Sequence, residues 1–421
     1  MPWRHGDPAR SVRYHAPVSP RILLTEGSSL SSREAVTALG IAGHRVGVLD
    51  PDPLCLARFS RFVSRFHRSP SSGSDPEGYL RALDAVARAH GYDVVLPTHE
   101  QATLLAHRAA TIPPGVRCAL ADPASFDRIE TKVALTTLLD ALALPQPPTR
   151  VARSRAELLA QSAFPVFVKT AFGTATTGVR RVADPGALEA LAAVLDAGEA
   201  WAAGVVLQAP ARGSLERVQA IFSRGRLVGI HAYRQLVEAI SGGDVLKESV
   251  ARARVREDVA RIGAALSWHG ALALDYFWDG DPSYIDANPR LVEPMNAALS
   301  GANLAEILVR VTLEDPPPTL IEGRAGTRTR LSLMALLTRA RDTGRRRAVL
   351  REIGDLARGG GRYAGATEEL TPVGRDPWSA IPLAVVAARL LVSPGDAARV
   401  AAHAVTSYAV GAAGRVAEAR P

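Results

Sequence analysis

The sequence predicts an alternating α/β domain, then a strand-rich α+β unit, then a mainly helical C-terminal extension. Three observations carry this reading. From Arg21, short apolar runs alternate with helix-length segments, the pattern of βαβ units around a parallel sheet. Between about residues 165 and 290, β-prone runs follow one another across short breaks, which suits antiparallel strands. After the Pro-rich break EDPPPTLIEG (314–323) the pattern turns helical, with basic and Ala-rich content. A chain of 421 residues exceeds one ordinary core, so two or three domains are expected.

Taken in order, residues 1–20 form a basic, Pro-rich tail without an apolar core segment. It reads as a disordered tail and not as a signal peptide. RILLTEG is a strand ending in a Gly turn, and SSREAVTALGIAG is a helix with serines able to cap its start. HRVGVLD is a strand, YLRALDAVARAHG a helix, YDVVLPT a strand and QATLLAHRAATI a helix. Residues 21–120 therefore form a Rossmann-like domain. TEGSSLSS stands where a GxGxxG fingerprint would follow the first strand, so a nicotinamide site is disfavoured. DRIETKVALTTLLDALALP reads as one helix, PQPPTRV as an extended connection, and FPVFVKTAFGTATTGVRRV as strand, small-residue loop, strand. PGALEALAAVLDAG is a helix. GVVLQAP, LERVQAIFSRGRLVGIHAYRQL and residues 271–288 are strands, with VREDVARIGAALSWHG as a helix between them.

Composition narrows the function classes. Hydrophobic residues at 47% and charged residues at 22% are ordinary for a soluble globular chain. No apolar run approaches the roughly 18–20 residues that span a bilayer. Cys55 and Cys118 are too few for a disulfide framework and have no zinc spacing, so a cytoplasmic location is expected. The net charge of +8 invites a nucleic-acid reading, but the arginines are scattered and few aromatics sit among them. Only three of the 50 basic residues are lysines, Lys132, Lys169 and Lys247. Where Arg is the default cation, a surviving Lys marks a place for a compact point charge such as a phosphate contact. The three asparagines, Asn288, Asn296 and Asn303, all fall within 16 residues.

Four segments carry chemistry. In ALALDYFWDGDPSYIDANPR (271–290) the tightest hairpin uses Gly280-Asp281 as a two-residue loop. That register places Asp275 opposite Asp286, with Cβ atoms about 4.5–5.5 Å apart, where like charges repel. Period two puts Asn288 on the same face. Two carboxylates and an amide oxygen suit a hard divalent cation, and Arg290 on that face suits a phosphate oxygen. The second segment is Lys169 at a strand end leading into TAFGTATTG (170–178). Its backbone N–H groups and hydroxyls, those of Thr174 and Thr177 among them, suit an anion, although a plain β-turn explains the loop equally. In the third, 205–222, Gln208 and Ala209 offer backbone groups to an adenine edge and Glu216 a carboxylate to a ribose hydroxyl. An ordinary connection is an even alternative there. In the fourth, 229–244, His231 lies on one strand face and Arg234 on the other, before the Gly242-Gly243 turn. Arg234 beside this turn is the expected carboxylate grip, whereas a lone strand His is more often structural.

In this order the features resemble the ATP-grasp superfamily, closest to its carboxylate–amine ligase and carbamoyl-phosphate-synthase-like branch. The motif Asp286-Ala287-Asn288-Pro289-Arg290 is similar to the family's acid-x-Asn-Pro-Arg strand, and Asp275 to the acid on its neighbour. The resemblance implies that Asp275, Asp286 and Asn288 hold Mg²⁺ and that Arg290 contacts phosphates. Lys169 would be the lysine before the lid loop, Lys132 a helix-borne lysine facing ATP, and Gln208 to Gly213 the hinge with Glu216 as ribose acid. The family usually has Glu at one or both metal positions, where this sequence has Asp at both, and Ala209 replaces the usual hinge acid. The implied layout is a pre-ATP-grasp domain (21–120), a lid with its linker helix (121–204), a core with the metal site (205–318) and a helical extension (319–421). The implied activity is amide formation between a small-molecule carboxylate and an amine through an acyl phosphate, with release of ADP and phosphate. Neither nucleic acid nor membrane is an expected partner, and a homodimer is left open. Bicarbonate activation, as in a carboxylase or carbamoyl-phosphate-like enzyme, is the second reading, and a non-catalytic ATP-binding regulatory module the third.

Overall fold

The computed structural model describes residues 19–173, 178–198 and 200–408. The N-terminal sheet is parallel, with strands β1 (Ile22–Leu24), β2 (Val46–Asp50), β3 (Val63–Arg68) and β4 (Val94–Leu96) in the order β3-β2-β1-β4. Helix α1 (Leu30–Ile41) joins β1 to β2, α2 (Pro76–His90) joins β3 to β4, and α3 (Gln101–His107) follows β4. This is the expected Rossmann-like arrangement. The sequence reading lacks β3 because VSRFHR is an edge strand, exposed at Ser64, Arg65 and Arg68, and shows no apolar run.

The segment 127–145, expected to be one helix, is broken. Helix α4 (Pro123–Asp127) ends before Thr131, whose hydroxyl caps α5 (Lys132–Ala141) by accepting the Ala134 N–H. An N-cap Thr satisfies one of the free N–H groups at a helix start, and here it makes Lys132 the first helical residue. The second sheet has strands β5 (Thr149–Ala152), β6 (Val166–Thr170), β7 (Val179–Val182) and β8 (Val205–Gln208) in the order β5-β8-β6-β7, all pairs antiparallel. Helices α6 (Arg155–Leu159) and α7 (Pro185–Ala197) pack on it. Its apolar residues form a core of their own around Val168, Leu188 and Leu207.

The third sheet has eight strands: β9 (Ser214–Ser223), β10 (Arg226–Glu238), β11 (Asp244–Val250), β12 (Gly270–Trp278), β13 (Pro282–Asn288), β14 (Ile321–Glu322), β15 (Arg328–Arg330) and β16 (Thr367–Glu368). The order is β13-β12-β9-β10-β11-β15-β16, and β14 pairs with β10. Helices α8 (Ala253–Ala265), α9 (Met295–Ser300) and α10 (Leu304–Thr312) cover it, and α11 (Ser332–Thr343), α12 (Arg346–Arg358), α13 (Ala380–Val392) and α14 (Ala397–Tyr408) follow. The C-terminal extension is thus mainly helical, as expected, but β15 and β16 add it to the main sheet. No helix among the described residues is long and apolar enough to cross a membrane.

Helix α1 is buried along nearly its whole length, polar residues included. Arg33 there donates to Asp376 of the extension at 2.8 Å, with both side chains almost wholly excluded from solvent. Asp376 also accepts the Arg61 N–H at 2.9 Å. Breaking a buried pair strands a charge and costs about 3–5 kcal/mol, whereas replacing both partners by apolar groups is often neutral. Arg33→Met is therefore expected to lower stability by that amount in urea unfolding, and Arg33→Met with Asp376→Leu to recover most of the loss. Additive losses in this cycle would contradict the pairing.

Candidate active site

The β12–β13 hairpin reaches the expected pairing by an unexpected route. Trp278 pairs with Pro282, which leaves a three-residue loop, 279–281, in place of the expected two. Gly280 takes φ +91° in that loop, a conformation that favours glycine. Continued unbroken, this register would set Asp275 opposite Ile285. The ladder instead shifts between Asp275 and Tyr276, with Ile285 as the extra residue. Such a bulge bends the strand and re-aims its side chains. Asp275 consequently stands opposite Asp286, and Asn288 opposite Ala273. The Ile285 carbonyl at the bulge accepts from Lys169 Nζ at 2.9 Å. One irregularity thus pairs the two carboxylates and docks the lysine from β6.

The surrounding cations are placed against these acids. Lys132 Nζ lies 3.5 Å from Asp286 and donates to the Gly173 carbonyl at 3.4 Å, linking helix α5 to the loop after β6. Arg217 sits next to Asp275 across β9 and donates to it at 3.4 Å. Its other nitrogens bind Asp244 at 2.8 Å and the Gly242 carbonyl at 3.2 Å. Arg290 donates to Asn288 Oδ1 at 3.1 Å. Burial raises the Asp275 carboxyl above its ordinary range, Arg217 opposes this, and Asp286 adds to it. Asp244 is held below its ordinary range because Arg217 and Lys247 outweigh its burial. Burial lowers the Lys169 ammonium to about 8, against the pull of Asp286 and with Lys132 adding to the shift.

These groups line a cleft of about 580 Å³ between the second and third sheets, within the range of small-molecule sites. Asp275, Asp286, Asn288, Arg290, Lys132 and Lys169 all face it. Gln208 and Ala209 do as well. The Gln208 amide donates to Thr149 Oγ1 at 3.0 Å, and the Ala209 N–H is already taken by the Pro148 carbonyl, so it is not the expected donor to a base. Apolar walls come from Phe167, Val179, Leu215 and Phe277. Thr174 and Thr177 lie outside the described residues.

Three expected site residues are elsewhere. Glu216 is fully buried on the far face of β9, where it binds Arg252 at 2.7 and 2.9 Å and accepts from the Tyr276 hydroxyl at 2.9 Å. Strand alternation is the reason, since Arg217 takes the cleft face. His231 is buried against Asn296 Oδ1 at 2.6 Å, and desolvation lowers its ring to about 4. Arg234 pairs with Glu248 at 2.6 Å on the Glu216 side of the sheet. Of the glycine turn, Gly242 lines the cleft, while the Gly243 carbonyl accepts from Ala239 N–H and the Gln235 amide. Sequence reasoning missed Arg217 and Asp244. The period-two pattern that placed His231 would also have placed Arg217, had β9 been set in register with β12.

The Rossmann-like domain fills its own anion position. The Glu26 carboxylate accepts the Ser28 and Ser29 N–H groups at 2.8 and 2.9 Å, the Ser29 and Ser32 hydroxyls, and Thr98 Oγ1 at 2.9 Å. A helix start that would attract a phosphate is thereby occupied, in line with the missing glycine fingerprint.

Solved structures are similar to this chain in fold. Biotin carboxylase from Campylobacter jejuni matches with a TM-score of 0.59 and 17% identity, over 73% of this chain and 74% of that one. An ADP complex of N5-carboxyaminoimidazole ribonucleotide synthetase matches at 0.58 and 15%, over 80% and 86%. L-amino acid ligase from Bacillus licheniformis matches at 0.53 and 15%, over 70% and 74%. The chain has an ATP-grasp fold. No protein-family model and no curated protein sequence matches it. Within the ATP-grasp fold, the cleft lies between the small β5–β8 sheet and the main sheet, with Lys169 reaching from one to the other.

Lys169 has a testable titration. Its ammonium is charged below about pH 8 and neutral above. Any polyanion held against Lys169 favours the charged form, so its affinity should hold below pH 8 and fall above it, by at most about tenfold per pH unit. Calorimetric titrations with MgADP from pH 7 to 9.5 measure this. Lys169→Arg, charged throughout, should flatten the profile.

Proposed function

We propose that this chain is an Mg²⁺-dependent, ADP-forming ligase that joins a carboxylate to an amine through an acyl phosphate. The observation that carries the reading is the Asp275–Asp286 rung, two carboxylates directly opposed on the cleft face with Asn288 beside them. The donor set, all oxygen and doubly acidic, fits Mg²⁺. Asp275, Asp286 and Asn288 would hold it, and when bound it would supply positive charge to the ATP phosphates.

The chain's own groups act around that site. Lys169 and Lys132 are point charges for phosphate oxygens, and Arg290 is a planar donor whose partner, Asn288, keeps it beside the rung. Their task is positioning and charge stabilisation, with no protein nucleophile required. A substrate carboxylate oxygen attacks the γ-phosphorus, the new O–P bond forms and ADP leaves. The amine then attacks the acyl carbon, phosphate leaves and the amine loses a proton. The β6–β7 side of the small sheet would shield the acyl phosphate from water. With Arg234 outside the cleft, Arg290 at the rung would meet both the terminal phosphate and the carboxylate that attacks it. The apolar pocket at Phe167, Val179 and Leu215 suits the adenine.

The carboxylases among the structural neighbours support bicarbonate activation as a second reading. ADP release stimulated by bicarbonate without an added amine would favour it. The main test is ADP and phosphate release across a panel of carboxylates and amines. Asp286→Ala should reduce turnover at least about a hundredfold, as expected for loss of a charge-stabilising group at a transferring phosphoryl. Unchanged turnover would exclude the assigned site.

A further inference from the structure

Lys247 is the one lysine outside the cleft, and it is wholly buried. Its Nζ binds Glu293 at 2.6 Å and Glu369 at 3.0 Å and lies 5.0 Å from the Tyr233 ring centre. Glu34 of α1 completes the cluster, with Glu34, Glu293 and Glu369 offering oxygens within 4.8 Å of one another. The ammonium of Lys247 already serves as their cation. Three carboxyl groups and one ammonium cannot all stay charged in so buried a cluster. Burial, and then mutual repulsion, raises the Glu34 carboxyl far above its ordinary range, and burial raises that of Glu369. Glu34 Oε1 is buried without a hydrogen-bond partner. A cluster so poorly compensated is a weak device for stability alone.

Its contacts converge on one loop. Residues 289–294 follow β13 and carry both Arg290 and Glu293. The Glu293 N–H donates to Ser31 Oγ of α1 at 3.2 Å, its carbonyl accepts from the Gln219 amide at 3.2 Å, and the Met295 N–H donates to Glu34 at 3.0 Å. Leu291 is buried between them. Glu293 is held at φ +35°, a left-handed conformation that a non-glycine residue keeps only where its surroundings enforce it. The Lys247 ion pair is thus one of the contacts that fix the backbone of this loop, three residues from Arg290.

We infer that Lys247, braced by Glu369 of the C-terminal extension, is a positioning residue that acts through Glu293 to hold Arg290 against the terminal phosphate of the nucleotide. This rests on the ligase reading only in taking Arg290 as a phosphate contact. It gives the extension a role in the site although none of its residues lines the cleft among the described residues.

The test is nucleotide discrimination, which needs no knowledge of the substrates. Affinities for MgADP and for the magnesium complex of a non-hydrolysable ATP analogue are measured by calorimetry on the full chain, with thermal unfolding as the folding control. Lys247→Met should weaken the ATP analogue about tenfold and MgADP less than about twofold, because only the terminal phosphate loses a correctly placed partner. Glu369→Gln, closer in shape and charge to the native cluster, should shift the ratio in the same direction if Lys247→Met does not fold. Arg290→Ala should reproduce the loss. A folded variant of Lys247 or Glu369 with the wild-type ratio, or with equal loss for both nucleotides, overturns the inference alone. Failure of the wild type to bind either nucleotide overturns the ligase reading and this inference with it.

Discussion

The structure depends on placing two aspartates directly opposite each other in a sheet. Asp275 and Asp286 share a cross-strand rung, where neighbouring like charges are unfavourable. The bulge at Ile285 creates this arrangement, since the hairpin loop alone would have paired Asp275 with an isoleucine. Around the rung stand Arg217, Lys132, Lys169 and Arg290, each tied to a carboxylate, an amide or a backbone carbonyl. Negative charge is concentrated at one point and positive charge is distributed around it. That distribution of charge is what the proposed cation and polyphosphate would require.

The rung extends into a polar band across the main sheet. Asp286, Asp275, Arg217, Tyr233 and Ser249 are successive cross-strand partners from β13 to β11. At the far end Lys247 meets acids from α1, from the loop after β13 and from the extension. Groups far apart in sequence are therefore joined through one sheet face. The N-terminal domain serves this band as a buttress. Its own anion position is filled by Glu26, and its first helix gives Ser31, Arg33 and Glu34 to contacts with the core and the extension.

Much of the fold was legible because its periodicities are local. The strands at 22–24, 46–50 and 94–96 are short apolar runs between helices, and 205–208 and 270–278 are apolar runs among strands. Strand β11 was not recognised, because DVLKESV mixes acids and a lysine into a buried strand and so hides its pattern. The polar residues of α1 are covered by the loop after β13 and by the extension and not by water, which its local pattern does not show. In the site, Asp275, Asp286, Asn288, Arg290, Lys132 and Lys169 come together as expected. The rarity of lysine in an arginine-rich chain was an informative signal for two of the three lysines, and Lys247 proved to be a third special environment of a different kind.

The sequence by itself determined the fold class, the acidic hairpin and the two lysines that stand beside it, because those rest on residue type and short-range spacing. Only the tertiary structure decided which face of β9 enters the cleft, and with it the exchange of Glu216 for Arg217. Only it revealed that His231 and Arg234 lie outside the cleft, and that the paired aspartates owe their register to a bulge. The physical reason is common to all of these. Alternation specifies that neighbouring residues on a strand face opposite ways, but the choice of face is made by the strands beside it and by what must be buried.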